Sequence, residues 1–260
     1  MSDKDHTPAA PTSSDAAPHP MRRNFYGRLK GKTMRASQKE YLSEDLGPLT
    51  PTGISLEDNP SREQIDLRAH FGNDNPVWLE VGFGGGEHLV HMAAKYRDIN
   101  ILGCEPYMNG VAMLLGKIRR AGVTNLAVYP GDARDLMEVI EGGFFAKAFL
   151  NYPDPWPKKR HHRRRFVTQE HLQPLFNVMK SGAEFRIATD IADYVRQAVQ
   201  EVPKAGFKAQ FNVPAEFDFE DAQEVSGDWD HAPEDWISTR YEQKALREGR
   251  KPHYLTYLRP

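Results

Sequence analysis

The densest chemical signal in the chain is a proline-rich segment near its middle that leads directly into a basic run. Residues 150–157 read Leu-Asn-Tyr-Pro-Asp-Pro-Trp-Pro. The prolines restrict the backbone, so the segment presents Asp154 and Trp156 with little conformational freedom. Such preorganisation suits a group that must be in place before a reactant arrives. The segment is therefore predicted to be an active-site loop.

An uninterrupted run of lysine, arginine and histidine follows this loop at residues 158–165. Its members are Lys158, Lys159, Arg160, His161, His162, Arg163, Arg164 and Arg165. A charge run is often a solvated face, but this one adjoins a rigid loop that is both acidic and aromatic. Lysine and arginine neutralise phosphates and supply affinity for RNA without reading its sequence. We predict RNA contact here, extended by a basic arm at residues 22–39 that carries Phe25 and Tyr26 for stacking.

A glycine-rich turn at residues 82–86 (Gly-Phe-Gly-Gly-Gly) follows the apolar segment 77–81. Gly82 and Gly84 are predicted to let the backbone approach a cofactor closely, although a plain strand-to-helix turn would look the same. A dinucleotide fingerprint has a third glycine at the sixth position, where pyrophosphate meets the helix start. That position holds Glu87, which would repel pyrophosphate. A nicotinamide dehydrogenase is therefore the weaker interpretation.

Four acidic residues lie at or just beyond the ends of successive predicted strands. They are Glu80, Glu105, Asp132 and Asp154. In open α/β sheets, ligands bind outside the carboxyl ends of the strands. Each residue alone could be a solvated carboxylate, but their recurrence favours a cofactor with a cationic sulfonium, an amino group and no phosphate. Glu105 is placed for the ribose hydroxyls, Asp132 for the adenine amine and Glu80 for the amino-acid end.

The elements that must position these residues alternate between strand and helix patterns. The candidate strands are residues 77–81, 99–103, 126–129, 144–150, 184–188, 207–213 and 254–258. Helical spacing separates them, as at residues 111–118, where Gly122 suits a C-terminal cap. Other predicted helices include Leu172 to Met179 and Ile191 to Val202. This alternation predicts an α/β, Rossmann-like fold with a mostly parallel sheet covered by helices on both faces.

Composition and length predict the domain organisation and the cellular location. At 260 residues, with a formal net charge of −2, the chain is expected to form one domain with extensions. Residues 1–20 lack an apolar run and are predicted to be a disordered tail, followed by a basic, RNA-contacting extension at 21–60 and the main domain at 61–260. A single cysteine, Cys104, and the absence of a signal or membrane segment predict a cytoplasmic protein. The oligomeric state stays open.

Two pairs of histidines raise the question of a metal site. His161 and His162 have no cysteine or acidic partner at metal-binding spacing. His88 and His91 are one helical turn apart, and we interpret them as a pair on a helix surface. No metal is predicted.

Several of these motifs together resemble the bacterial tRNA (guanine-N7-)-methyltransferases, which are class I methyltransferases. The resemblance spans roughly residues 22–260. It is carried by Phe25-Tyr26-Gly27-Arg28, Leu79-Glu80-Val81-Gly82-Phe83-Gly84, Pro153-Asp154-Pro155-Trp156-Pro157-Lys158-Lys159-Arg160-His161, Ala188-Thr189-Asp190 and Thr239-Arg240-Tyr241-Glu242.

The resemblance implies S-adenosylmethionine as the methyl donor and a guanosine in the tRNA variable loop as the acceptor. It implies cofactor binding by the four strand-end carboxylates, with Asp154 also catalytic, and RNA contact by residues 160–165. It implies substrate binding by Lys158, Asp190, Thr239, Arg240, Tyr241 and Glu242. Thr239 and Glu242 also have the spacing of a helix capping box, so a structural role stays open for them. The tail and the acidic stretch at 216–235 depart from the family pattern.

Guanine N7 carries a lone pair and no proton, so Asp154 is predicted to position the base or balance its charge rather than to act as a general base. Two other functions stay open. One is methylation of an exocyclic amine in RNA, and the other is RNA binding without catalysis.

Overall fold

The computed structural model describes residues 27, 29, 31–214, 217 and 226–260. The predicted tail, arm residues 21–26, 28 and 30, and residues 216 and 218–225 of the acidic stretch lie outside the described part. Within it, the strands are β1 Val77–Val81, β2 Asn100–Cys104, β3 Leu126–Tyr129, β4 Phe145–Asn151, β5 Met179–Thr189, β6 Lys208–Ala209 and β7 His253–Leu258. The helices are α1 Ala36–Glu44, α2 Leu46–Leu49, α3 Leu67–Phe71, α4 Glu87–Lys95, α5 Met108–Ala121, α6 Ala133–Val139, α7 Gln169–Val178, α8 Ala192–Lys204 and α9 Arg240–Arg247.

All of these strands join one sheet, in the order β3-β2-β1-β4-β5-β7-β6. Strands β1 to β5 pair in parallel, and β7 runs antiparallel to both of its neighbours. The predicted mostly parallel α/β sheet is confirmed. The chain leaves the β3 edge and returns to place β4 beside β1, so the strand order reverses between β1 and β4. Ligands bind at such a reversal in open α/β sheets.

Apolar side chains cover both faces of the sheet. Every residue of β1 is buried, as expected for a central parallel strand covered on two sides. Leu79 packs in the cluster on one face, while Trp78 packs with α4 and α5 on the other. Helix α5 ends at Gly122, which adopts the left-handed conformation (φ 62°) predicted for its cap.

The structure differs most from the predicted boundaries in β5 and β6, whereas β2, β4 and β7 shift by one residue. Met179 begins β5, where it pairs with Phe145, instead of ending the preceding helix. The predicted strand 207–213 shortens to two residues on the sheet edge. Beyond its end, the Gln210 amide still donates to the Thr256 carbonyl (2.9 Å), and the backbone and side-chain nitrogens of Asn212 then both donate to the Asp228 carboxylate, 3.1 Å away.

The described part of the N-terminal extension packs on α5 and on the core. Arg119 of α5 forms ion pairs with Glu40, Glu44 and Asp45, and Ile54 is fully buried beside the sheet. Further back, Asn109 accepts a hydrogen bond from the Gly31 amide (2.9 Å) and donates to the Lys32 carbonyl (2.7 Å). These contacts hold the arm near the start of α5. No helix in the described residues is long and apolar enough to cross a membrane.

Candidate active site

A cavity of about 1020 Å³ opens at the carboxyl ends of β1 to β4, at the strand reversal. Its walls come from the glycine turn, the ends of these strands, the proline-rich loop, the end of the basic run and the start of α9. Gly27 of the arm also reaches its edge. The volume suits a nucleoside-sized ligand together with part of a second reactant.

The glycine turn is shaped by both backbone conformation and packing. Gly82 and Gly84 have φ values of 72° and 56°, which side chains rarely tolerate. A Cβ added at Gly84 would lie 2.9 Å from the Tyr241 ring, so α9 closes tightly over the turn. Glu87 forms an ion pair with Lys117 (3.1 Å), and its charge is therefore partly neutralised. Paired in this way, Glu87 would repel pyrophosphate less strongly than a free carboxylate.

Glu105 lies at the centre of the cavity wall, where its carboxylate accepts two backbone hydrogen bonds. The Gly84 amide donates to one oxygen (2.7 Å) and the Tyr107 amide to the other (2.9 Å). Burial raises the pKa of Glu105 to about 7, against the opposing effect of these two bonds. The site therefore contains a buried carboxyl group that would gain from further hydrogen-bond donors, such as a ribose diol.

Asp132 lies on the same wall and caps the start of α6. Its side chain accepts from the Arg134 amide (2.9 Å), and its other oxygen accepts from the Arg134 guanidinium (2.9 Å at Nε). Both residues line the cavity. Asp132 thus lies at the cavity, as predicted, and its role with the cofactor stays a prediction, whereas Arg134, two positions further along the chain, was not among the predicted residues.

Glu80 does not line the cavity, in contrast to the other strand-end carboxylates. It is buried behind the wall, 2.9 Å from His88 Nδ1, and accepts a weak hydrogen bond (3.3 Å) from Asn151. The interpretation of His88 and His91 as a surface pair is wrong for His88, which is only 2% exposed. Strand alternation gives the reason: Val81 faces the cavity side, so Glu80 faces the opposite side and α4.

The proline-rich loop forms the opposite wall. Tyr152, Pro153, Asp154 and Trp156 all line the cavity. Tyr152 and Trp156 have positive φ values of 50° and 40°, which are rare for bulky residues. The predicted rigidity of the loop thus takes the form of an unusual backbone held in place by its surroundings.

The basic run does not behave as one surface. Lys159–Arg164 form a 3₁₀ helix, and Arg163 and Arg164 reach the cavity, with Arg164 lying 5.0 Å from the centre of the Trp156 ring. Lys158 is exposed but does not line the cavity. Arg165 also lines the cavity, but its side chain is buried, in contrast to the prediction that it faces RNA.

Some of the residues predicted for substrate binding line the cavity, and others are buried in structural contacts. Arg240 and Tyr241 line the cavity. Thr239 instead caps α9 by accepting from the Glu242 amide (3.3 Å), and the Glu242 carboxylate accepts from Trp236 Nε1 (2.5 Å). Both are buried, in keeping with the structural alternative.

Asp190 lies outside the cavity lining and pairs with Arg250 (2.5 Å).

Two further cavity residues, Phe166 and His171, were not predicted from the sequence. They lie before and within α7, with their rings stacked 5.3 Å apart, and burial lowers the pKa of His171. No local motif marks them, because they reach the site only through packing of α7 against α6. In the described part of the chain, no group of histidine, cysteine and acidic side chains is arranged to hold a metal.

The sheet order, the glycine turn and the carboxylates at successive strand ends define a Rossmann-like enzyme of the class I methyltransferase type. The family model described as "Putative methyltransferase" matches residues 74–255. Two solved structures, an antibiotic-related methyltransferase and the 16S rRNA methyltransferase KamB, are each 16% identical with a TM-score of 0.50. They cover 75% and 76% of this chain and 96% and 95% of their own, and they support the fold alone.

Curated relatives give the family within this class. A tRNA (guanine-N(7)-)-methyltransferase from Paracoccus denitrificans is 63% identical over 95% of this chain and 99% of its own length. A relative of the same name from Brucella anthropi is 41% identical over 93% of this chain and 97% of its own. The chain belongs to the tRNA (guanine-N7-)-methyltransferase family.

Proposed function

We propose that this chain transfers the methyl group of S-adenosylmethionine to N7 of a guanine in the variable loop of tRNA. The observation that carries the proposal is one cavity with an acidic wall on one side and the end of a basic run at its edge. Glu105, Asp154 and Arg163 all line it. The activity named for relatives up to 63% identical supports the same reaction. A tRNA substrate also supports the predicted cytoplasmic location.

The carboxylates of the cavity wall match the hydrogen-bond donors and the positive charge of S-adenosylmethionine. Glu105 would accept the ribose hydroxyls, since its buried carboxylate has only two backbone donors in place. Asp132 lies at the same wall and is proposed for the adenine side, together with Arg134. Glu80 would act on the cavity only through Asn151. When bound, the cofactor supplies a methyl group activated by a positively charged sulfur.

Asp154 is proposed as the catalytic residue because the stiff loop presents its carboxylate to the cavity. N7 has a lone pair and no proton, so no general base is required. The carboxylate would accept hydrogen bonds from the guanine N1–H and amino edge and balance the positive charge that develops on the base. Trp156 or Tyr152 would stack on the unstacked guanine.

RNA contact is proposed for Lys158, Arg160, His161, His162, Arg163 and Arg164, together with the basic arm. The lysine and arginine side chains would neutralise phosphates near the cavity edge, where Arg240 and Tyr241 form the adjoining wall. Desolvation lowers the pKa values of His161 and His162, so these two would contact RNA as neutral groups. Substituting one phosphate-contacting arginine, Arg163→Gln, is expected to weaken tRNA binding and to lower the salt slope of binding by about one unit.

Purified protein incubated with labelled S-adenosylmethionine and unmodified tRNA tests the proposal. Nuclease digestion and mass spectrometry are expected to locate 7-methylguanosine in the variable loop. Asp154→Ala is expected to lower kcat by about 10²–10³-fold. The matched control Asp98→Ala, at an exposed aspartate before β2, is expected to keep wild-type activity. A methyl group found on an exocyclic amine, or near-normal activity of Asp154→Ala, would refute the corresponding assignment.

A further inference from the structure

Arg165, the last residue of the basic run, lies at the cavity wall but differs from its neighbours in the burial of its side chain. Its side chain has 0% exposure, which is rare for arginine. Its guanidinium donates to the Pro155 carbonyl (2.8 Å), to the side chain of Gln197 (2.8 Å) and to the carboxylate of Asp193 (2.7 Å). The Asp193 carboxylate balances its charge, as a buried cation requires. With weaker contacts to the Asp193 and Trp156 carbonyls, all five N–H groups of the guanidinium have protein acceptors, which leaves none of them for a phosphate.

These contacts join the active-site loop to the start of α8. Asp193 and Gln197 both belong to α8, while Pro155 lies between Asp154 and Trp156 in the loop. The guanidinium also lies 3.5 Å from the Trp156 carbonyl. One side chain thus holds the carbonyls that follow the proposed catalytic residue against a helix of the sheet domain.

The loop conformation needs such an anchor. Tyr152 and Trp156, on either side of Asp154, have positive φ values, and a bulky residue keeps this conformation only when its surroundings impose it. At the Tyr152 end, the backbone amide donates to the Ala188 carbonyl of β5 (2.7 Å). At the Trp156 end, Arg165 binds the two adjoining carbonyls.

We propose that Arg165 is a positioning residue that holds Asp154 and Trp156 in their working geometry, and that it does not contact RNA. The inference rests on the proposed methyl transfer. It separates Arg165 from Arg163 and Arg164, which are assigned to phosphate contact. Loss of the anchor would let the strained loop relax, and a displacement of about 1 Å at a reacting group can cost about 10²-fold in rate.

Two substitutions that each remove one positive charge from the run test the proposal. Arg165→Gln is expected to lower kcat by about 10- to 100-fold while the KM for tRNA stays within about twofold. Arg163→Gln, at an exposed position, is expected to raise the KM for tRNA with a much smaller effect on kcat. If Arg165→Gln raises the KM for tRNA and leaves kcat unchanged, Arg165 acts on RNA and the proposal is wrong.

Hydrogen exchange in the free protein gives a readout that does not depend on activity. The Tyr152 amide of the loop, which donates to the Ala188 carbonyl (2.7 Å), is expected to exchange at least about tenfold faster in Arg165→Gln than in wild type, and at the wild-type rate in Arg163→Gln. Unchanged exchange in Arg165→Gln contradicts the proposal. If the wild type fails to methylate tRNA, the proposed function fails, while the exchange comparison still decides whether Arg165 anchors the loop.

A second variant covers the case in which Arg165→Gln does not fold. Asp193→Asn removes the charge that balances Arg165 but keeps the size of the side chain. It is expected to change kcat and loop exchange in the same direction, to a smaller extent. Wild-type kcat and wild-type exchange in a folded Asp193→Asn protein would overturn the anchoring role.

Discussion

The binding of S-adenosylmethionine is expected to depend on pH through Glu105. Burial raises the pKa of this carboxyl group to about 7 from its ordinary 4.5, so it is largely protonated at slightly acid pH in the free protein. The ionised form is the better acceptor for two ribose hydroxyls and is also favoured by a cationic cofactor. Binding should therefore release a proton at neutral and lower pH.

The size of the effect follows from the two protonation states. With a pKa near 7, about nine-tenths of the group is ionised at about pH 8, but only about one-tenth at about pH 6. If the ionised form binds, the affinity for S-adenosylmethionine falls about tenfold between these two values. The contribution of Glu105 to folding stability changes with pH in the opposite direction, since it falls as the pH rises. The folded chain holds this proton more tightly than the unfolded chain, so the contribution of Glu105 to stability is largest below about pH 4.5 and is lost as the pH rises towards 7.

Isothermal titration calorimetry at several pH values, in buffers with different ionisation enthalpies, measures both the affinity and the proton release. Glu105→Gln is the matched control because it keeps the shape but cannot titrate, and it also corrects for ionisation of the cofactor itself. The affinity of Glu105→Gln for S-adenosylmethionine should be lower than that of the wild type at about pH 8 and should vary much less with pH. An equally steep pH dependence in Glu105→Gln, or a flat profile in the wild type, would refute the reasoning.

Three other substitutions follow from the packing. Gly84→Ala should weaken binding of S-adenosylmethionine, measured by calorimetry, because φ is 56° and the new Cβ would meet the Tyr241 ring; unchanged affinity would contradict this. Leu79→Ala, in the fully buried β1, should lower the free energy of unfolding in urea by about 2–5 kcal/mol, whereas Leu246→Ala, 54% exposed, should change it little. Asn109→Ala should release the arm at Gly31 and raise the KM for tRNA in steady-state assays, and an unchanged KM would count against an RNA role for the arm.

The sequence determined the sheet and the acidic wall of the cavity. Alternation of strand and helix patterns fixes a parallel sheet, and parallel strands bring their carboxyl ends to one edge. The residues that follow those ends are therefore expected at the same edge, and this expectation does not depend on how the side chains pack. Glu105, Asp132 and Asp154 were placed at the cavity for this reason, and the structure brings all three to it.

The alternation of side chains along a strand decides which of its residues line the cavity, and Glu80 is not among them. Glu80 belongs to β1 itself, where neighbouring side chains alternate between faces. Val81 lines the cavity, and Glu80 consequently points towards α4 and pairs with His88. The alternation was readable from the sequence, but the buried partner on α4 was not.

Only the tertiary structure decided which charged residues of one short segment are exposed and which are buried and paired. Arg163 and Arg165 have the same side chain, yet one is exposed and the other is enclosed by groups on α8. In the same way, His171 reaches the cavity because α7 packs against α6. Local patterns report residue type and periodicity, whereas burial and pairing depend on segments about 30 positions away in the chain, such as Asp193 and Gln197 for Arg165.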